Sequence, residues 1–169
     1  YNASNRLSKL NQSLILLTKI DNHQFGQKEK INFSKLVNKQ VANYTELIDA
    51  KNLKLKSYIQ EGVTLTINAA LADILVSNLF TNAIKHNIVN GEIILELTAT
   101  HFLISNTGKA LQGNPSEFFQ RFKKDNQTSE SLGLGLSIVK RICDSEHIKI
   151  SYTHSLQYHL IDLEFERAS

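Results

Sequence analysis

Between residues 31 and 166 the hydrophobic pattern switches repeatedly between a period of two and a period near four, and few architectures accept that alternation. "INF" reads as a short strand, and Ser34 is placed to cap a helix running to about residue 50. "LKLKSYIQEGVTLTI" holds two alternating segments separated by Glu61-Gly62, a hairpin-like signal. Residues 69–86 carry a helical stripe, and "GEIILELTA" and "HFLISN" read as strands. "GLGLSIVKRICDSEH" is a helix that begins at a glycine-rich turn, while "IKISYTH" and "YHLIDLEFE" alternate as a closing hairpin. In a chain of 169 residues, 41% of them hydrophobic, this order predicts one core and an α/β fold: a two-layer sandwich of a mixed sheet with helices on one face. One stretch breaks the pattern. Residues 107–131 are long and polar, with the only proline, Pro115, and an aromatic cluster; such a segment reads as a lid or as disorder.

Ahead of the sandwich, "YNASNRLSKLNQSLILLTKID" places Leu7, Leu10, Leu14 and Leu17 at alternating three- and four-residue steps. That a/d seam predicts packing on a partner helix, the alternative being one amphipathic helix of the main domain. The polar "DNHQFGQKEK", punctuated by Gly26, reads as a linker, which divides the chain into 1–22, 23–30 and 31–169. The 19 basic residues are scattered among 16 acidic ones for a net charge of +3, so the balance gives no signal for nucleic acid or a membrane surface. No apolar run approaches the ~18 residues of a membrane span. The single Cys143 has no partner for an internal disulfide and reads as a small core residue. A start on Tyr1, directly into a helical pattern, suggests a piece of something longer.

Three patches carry candidate chemistry. In "NLFTNAIKHN", residues 78–87, the stripe begun by Leu71, Ile74 and Leu75 continues as Asn78, Asn82 and Lys85, with His86 beside it. Amide oxygens are hard ligands suited to Mg²⁺ when phosphates supply its remaining donors, and Lys85 one turn on can neutralise those phosphates; an exposed polar face near a helix end is the alternative. In "ISNTGKAL", residues 104–111, a strand leads into Gly108, where a flat ligand can approach the backbone, with Asn106 offering an amide to its edge. By itself the patch reads first as an ordinary turn after a strand. In "SLGLGLSIVKR", residues 131–141, Gly133 and Gly135 open a helix whose free N–H groups suit an anion. The spacing lacks the third glycine of a dinucleotide fingerprint, since Ile138 stands there, and the chain holds no GxxxxGK[ST] loop.

In this order and spacing the patches resemble the catalytic ATP-binding domain of sensor histidine kinases, of the Bergerat (GHKL) ATPase fold. "NLFTNAIKHN" resembles the N-box, "ISNTGKAL" a degenerate first glycine box, "FFQRF" at 118–122 the F-box, and "GLGLSIVKRI" the second glycine box. The wording of "SNTGKAL" with "SLGLGLSIVKRI" is similar to kinases of Bacteroidetes. The likeness covers about residues 31–166 and extends to the first helix, which resembles the second helix of the dimerisation and histidine-phosphotransfer hairpin. It implies Mg²⁺ ligation by Asn82 with Asn78 in support, phosphate contact by Lys85, and His86 where an aromatic residue usually flanks the nucleotide. It implies Gly108 against adenine with Asn106 at its exocyclic amine. Phe119, Arg121 and Phe122 would anchor a lid over about residues 109–131 that orders with nucleotide, and Gly133, Leu134 and Gly135 would wrap the phosphates.

The departures are specific. The family's adenine-binding aspartate is Asn106 here, and Ala110 and Ser131 stand where glycines usually do. An amide accepts or donates by flipping, so base discrimination should loosen, and Asn106→Asp should tighten ATP. None of His23, His86, His101, His147, His154 or His159 has the acidic-residue and proline setting of the phosphoacceptor. Nor can amides act as the base that activates water in related ATPases. The resemblance therefore implies a protein-histidine kinase domain that takes ATP and Mg²⁺ as cofactors and delivers the γ-phosphate to a histidine outside this chain, with no catalytic residue of its own and no autophosphorylation. Its partners would be the hairpin of the same, homodimeric protein and a response-regulator receiver domain, with no nucleic acid. The location would be cytoplasmic, whether or not the parent is anchored in the inner membrane. A nucleotide-binding-only or pseudokinase signalling module of the same fold is the alternative.

Overall fold

The computed structural model describes residues 2–111, 113–120 and 134–167. Its elements run α1 (Asn2–Asp21), β1 (Glu29–Asn32), α2 (Phe33–Ala50), β2 (Lys54–Ile59), β3 (Thr64–Ile67), α3 (Ala69–Lys85), β4 (Glu92–Leu97), β5 (His101–Thr107), a 3₁₀ turn (Pro115–Phe119), α4 (Gly135–Ser145), β6 (Lys149–Ser155) and β7 (Tyr158–Glu164). Five strands form one mixed sheet in the order β2-β4-β5-β7-β6, with β2 parallel to β4 and every other neighbour antiparallel. The helices cover its inner face, where Leu75, Leu79 and Val139 meet Ile93, Leu95, Phe102 and Leu163 in one core. This is the expected two-layer sandwich.

Two local expectations fail, for one reason. The segments flanking Glu61-Gly62 do not pair with each other. Gly62 adopts a φ of +72°, which glycine tolerates, and there the chain leaves the large sheet for a two-stranded one in which β3 pairs with β1. The parallel pairing of β2 with β4 is then made through a crossover containing β3 and α3, the long connection such pairing needs. Ser34 holds this turn and does not cap the helix: its hydroxyl donates to Gln60 O at 2.6 Å and accepts from Val63 N at 2.9 Å. The α2 cap is Asn32, whose Oδ1 accepts from Lys35 N.

The amino-terminal helix is built into the sandwich. Its seam turns toward α4 at its carboxyl end, where Leu17 and Ile20 are buried, while Leu7 remains 67% exposed. Arg141 pairs with Asp21 at 2.9 Å, and Lys28 pairs with Glu146 at 3.2 Å, so both ends of the 21–28 connection are tied to α4. The exposed Arg141–Asp21 pair contributes little energy, up to about 1 kcal/mol, while Lys28 reaches a Glu146 carboxylate that is largely buried; together they orient the helix that the buried leucine and isoleucine attach.

Candidate functional site

Helix α3 starts because Asn68 Oδ1 accepts from Leu71 N at 3.1 Å, and it ends at the C-cap His86. Its apolar stripe does not give way to polar residues, as the sequence suggests. The stripe continues through Val76, Leu79, Phe80, Ala83 and Ile84, and Asn78 and Asn82 lie half-buried on its flank. At 3.6 residues per turn a helix covered on two sides buries more than one row, so the neighbouring row is free to serve a site. Lys85 and His86 stand exposed at the helix end.

Asn78 Nδ2 donates to Ile74 O at 2.8 Å, which leaves the oxygen as its available atom. That oxygen lies 3.4 Å from where a Cβ on Gly135 would stand, so the amide row faces the start of α4. A side chain at 135 would reach only ordinary contact, so the chain's own packing does not demand glycine there. The Asn82 amide has no partner among the described residues. Helix α4 begins after the buried Leu134 with no side-chain cap, leaving the N–H groups of its first turn available to an anion. Ser137 Oγ donates backward to Leu134 O and does not compete for them. Hard amide oxygens beside an uncapped helix start suit a divalent cation with phosphate. Among the described residues there is no cluster of three His, Cys, Asp or Glu that would suit a softer metal.

On β5, Asn106 is buried on the inner face, in register with Ile93 on β4 and His159 on β7. Its Nδ2 donates to Thr107 O at 2.9 Å. A carbonyl can only accept, so the amide is held with its nitrogen inward, and Oδ1 meets no protein donor among the described residues. Flipping therefore carries a cost that the sequence did not reveal. Behind Asn106 lies a closed polar knot: Thr107 Oγ1 donates to Asn87 Oδ1 and accepts from Glu92 N at 2.9 Å. A Cβ on Gly91 would stand 2.0 Å from Asn87 Oδ1 and 2.2 Å from Thr107 Oγ1, so only glycine fits.

Gly108 is required by the chain itself. A Cβ there would meet the His159 ring at 2.6 Å and His86 O at 2.9 Å. The His159 ring, together with Tyr152 whose hydroxyl lies 2.7 Å from its Nδ1, is a site component that sequence reading passed over. The signal was present, because the alternation of "YHLIDLEFE" puts His159 in the inward set with Ile161 and Leu163. Phe119, in the 3₁₀ turn, rests against Tyr152 with ring centroids 6.2 Å apart. Arg121, Phe122, Ser131 and Gly133, and most of the expected lid, lie outside the described residues. Cys143 lies on the buried face of α4, and desolvation pushes its thiol up to about 12, which suits packing and not chemistry.

Comparison with known proteins identifies the family and the fold. The family described as histidine kinase-, DNA gyrase B- and HSP90-like ATPase matches residues 68–163. The heme sensor protein HssS of Staphylococcus aureus (strain Newman) is 33% identical over 164 residues, covering 94% of this chain and 36% of that protein. The chain thus spans little more than a third of the curated relative it matches. The cytoplasmic segment of histidine kinase QseC superposes with a TM-score of 0.68 at 19% identity, covering 97% of this chain and 95% of that one. Full-length ShkA in complex with AMPPNP gives 0.76 at 15% identity, covering 96% and 36%. The Bacteroidetes likeness finds no support in these comparisons.

Proposed function

The chain belongs to the histidine kinase-, DNA gyrase B- and HSP90-like ATPase family, and from that premise we propose that it is the ATP-binding catalytic domain of a two-component sensor histidine kinase. The observation that carries the reading is the meeting of the α3 amide row with the uncapped start of α4, Asn78 Oδ1 lying 3.4 Å from a Cβ position on Gly135. Asn82, supported by Asn78, would hold Mg²⁺, and a bound Mg²⁺ would neutralise charge on the phosphate oxygens. The N–H groups at the start of α4 would take the phosphates, with Lys85 at the exposed end of α3 to offset their charge. Asn106 would accept from the adenine amine, beside the backbone of Gly108.

The chain's residues position and neutralise; they do not abstract a proton. The γ-phosphorus would be attacked in line by a ring nitrogen of a histidine on the dimerisation hairpin outside this chain, with ADP as the leaving group. A receiver-domain aspartate of a response regulator would be the next acceptor. The described residues contain no helix long and apolar enough to cross a membrane, and the similar segment of QseC is described as cytoplasmic. We place this domain in the cytoplasm, within a homodimeric parent.

Incubating the parent's complete hairpin with this chain and γ-labelled ATP tests the reading. Acid-labile label on the hairpin is the expected result. ATP binding without transfer would instead identify a binding-only module.

A further inference from the structure

We propose that His159 is a positioning residue that sets the backbone at Gly108–Lys109, the wall on which the base would lie, and joins it to the aromatic turn at Pro115–Phe119. The proposal rests on the nucleotide reading above. Only 7% of His159 is exposed, and its ring is pressed against the Gly108 backbone so closely that a Cβ there would lie 2.8 Å from Nε2. Its Nε2 lies 2.7 Å from Lys109 O. Because that carbonyl only accepts, Nε2 carries a proton, and Nδ1 shares a hydrogen bond with the Tyr152 hydroxyl at 2.7 Å. The proton at Nε2 and the ring's orientation are thus both set by protein partners.

The second link runs outward from Tyr152. Its ring meets Phe118 and Phe119 at centroid separations of 6.3 and 6.2 Å, and it stands edge-on to His159 at 5.9 Å. On the other side the His154 ring packs at 4.4 Å from His159, across the β6–β7 register. The 3₁₀ turn, Tyr152, His159 and Lys109 O therefore form one contiguous chain of contacts, and a shift at the aromatic turn is felt at Gly108. An apolar residue at 159 would fill the space but leave Lys109 O without its donor, in a place where a lost bond has consequence.

The test measures Kd for MgATP and for inorganic tripolyphosphate, which has no base, on the intact chain and its variants. His159→Phe should weaken ATP about fivefold to tenfold, the worth of one part-buried hydrogen bond, while tripolyphosphate stays within about twofold. His159→Gln, whose amide N–H still reaches toward Lys109 O, should restore most of the loss. Tyr152→Phe, which frees the ring to turn over, should cost about threefold for ATP alone. Unchanged ATP affinity in His159→Phe would overturn the proposal, as would an equal loss of both ligands, the mark of a purely structural role. If His159→Phe does not fold, unchanged ATP affinity in Tyr152→Phe overturns it. Failure of the unmodified chain to bind ATP would refute the nucleotide reading first, and this inference with it.

Discussion

Replacing Asn106 puts the base-recognition geometry at risk in a way the structure lets us size. The amide donates to Thr107 O at 2.9 Å and keeps Oδ1 as the atom available to a base. Adenine presents an amine there, and guanine a carbonyl. To greet guanine the amide must turn over, losing the Thr107 bond and setting two oxygens face to face, which costs about 1–3 kcal/mol. The middle of that range is about thirtyfold in affinity. Hence ATP should outbind GTP by roughly that factor, despite the absence of an aspartate. Asn106→Ala should weaken ATP about tenfold and bring the two nucleotides close together. Asn106→Asp replaces the donor to Thr107 O with a second oxygen. That bond is missing from the free and the bound variant alike, so its loss falls on stability. Affinity changes because Thr107 O now repels the carboxylate and turns it from the base, so the ~1 kcal/mol of a charge-assisted bond to adenine is not realised and ATP should not tighten. At 5% exposure the new carboxylate should also lower stability by about 1–3 kcal/mol. Competition titrations with ATP and GTP on the three proteins, with denaturant curves beside them, measure all of this. Equal affinity of the unmodified chain for ATP and GTP would refute the reasoning, and so would a clear tightening of ATP by Asn106→Asp.

Gly91→Ala should destabilise by about 3 kcal/mol, because its methyl has nowhere to go between Asn87 and Thr107, and urea denaturation would show it. The Tyr158 hydroxyl and then Lys56 hold the Glu92 carboxyl below its usual range. Its stabilisation is therefore complete above the unfolded carboxyl's pKa of about 4.3 and is lost as pH falls through the lower folded value; the stability gap between the unmodified chain and Glu92→Gln should close in that window. Incubation of the chain alone with γ-labelled ATP should leave it unlabelled, because none of its six histidines has a phosphoacceptor setting. Stoichiometric acid-labile phosphohistidine on the chain itself would contradict that.

The fold was largely legible because its segments are long and strongly periodic. What escaped was pairing across distance. Nothing local distinguishes a Glu61-Gly62 hairpin from a turn that carries the chain between sheets; the deciding partners, β1 for β3 and β4 for β2, lie 32 to 38 residues away along the chain. Ser34 was misread for the same reason, since its partners at Gln60 and Val63 are distant. At the site, the residue types of the α3 amide row could be read directly, but their flank position could not, because sequence alone does not show that α3 is buried along more than one row. The orientation of Asn106 depends on a single carbonyl, and the role of His159 depends on its register opposite Asn106 on β5 and its ring's approach to Gly108. Such roles become visible only in three dimensions.

Calorimetric titration of ATP into this chain, with Mg²⁺ and again in excess EDTA, tests the nucleotide site most directly when Asn82→Ala is run beside it. The amide of Asn82 has no protein partner among the described residues, so its removal should leave stability within about 0.5 kcal/mol and act on the ligand alone. A site of the proposed kind gives saturable ATP binding with Mg²⁺, much weaker binding in EDTA, and loss of the metal dependence in Asn82→Ala. Equal affinity with and without the metal, or no binding of MgATP at all, would contradict it.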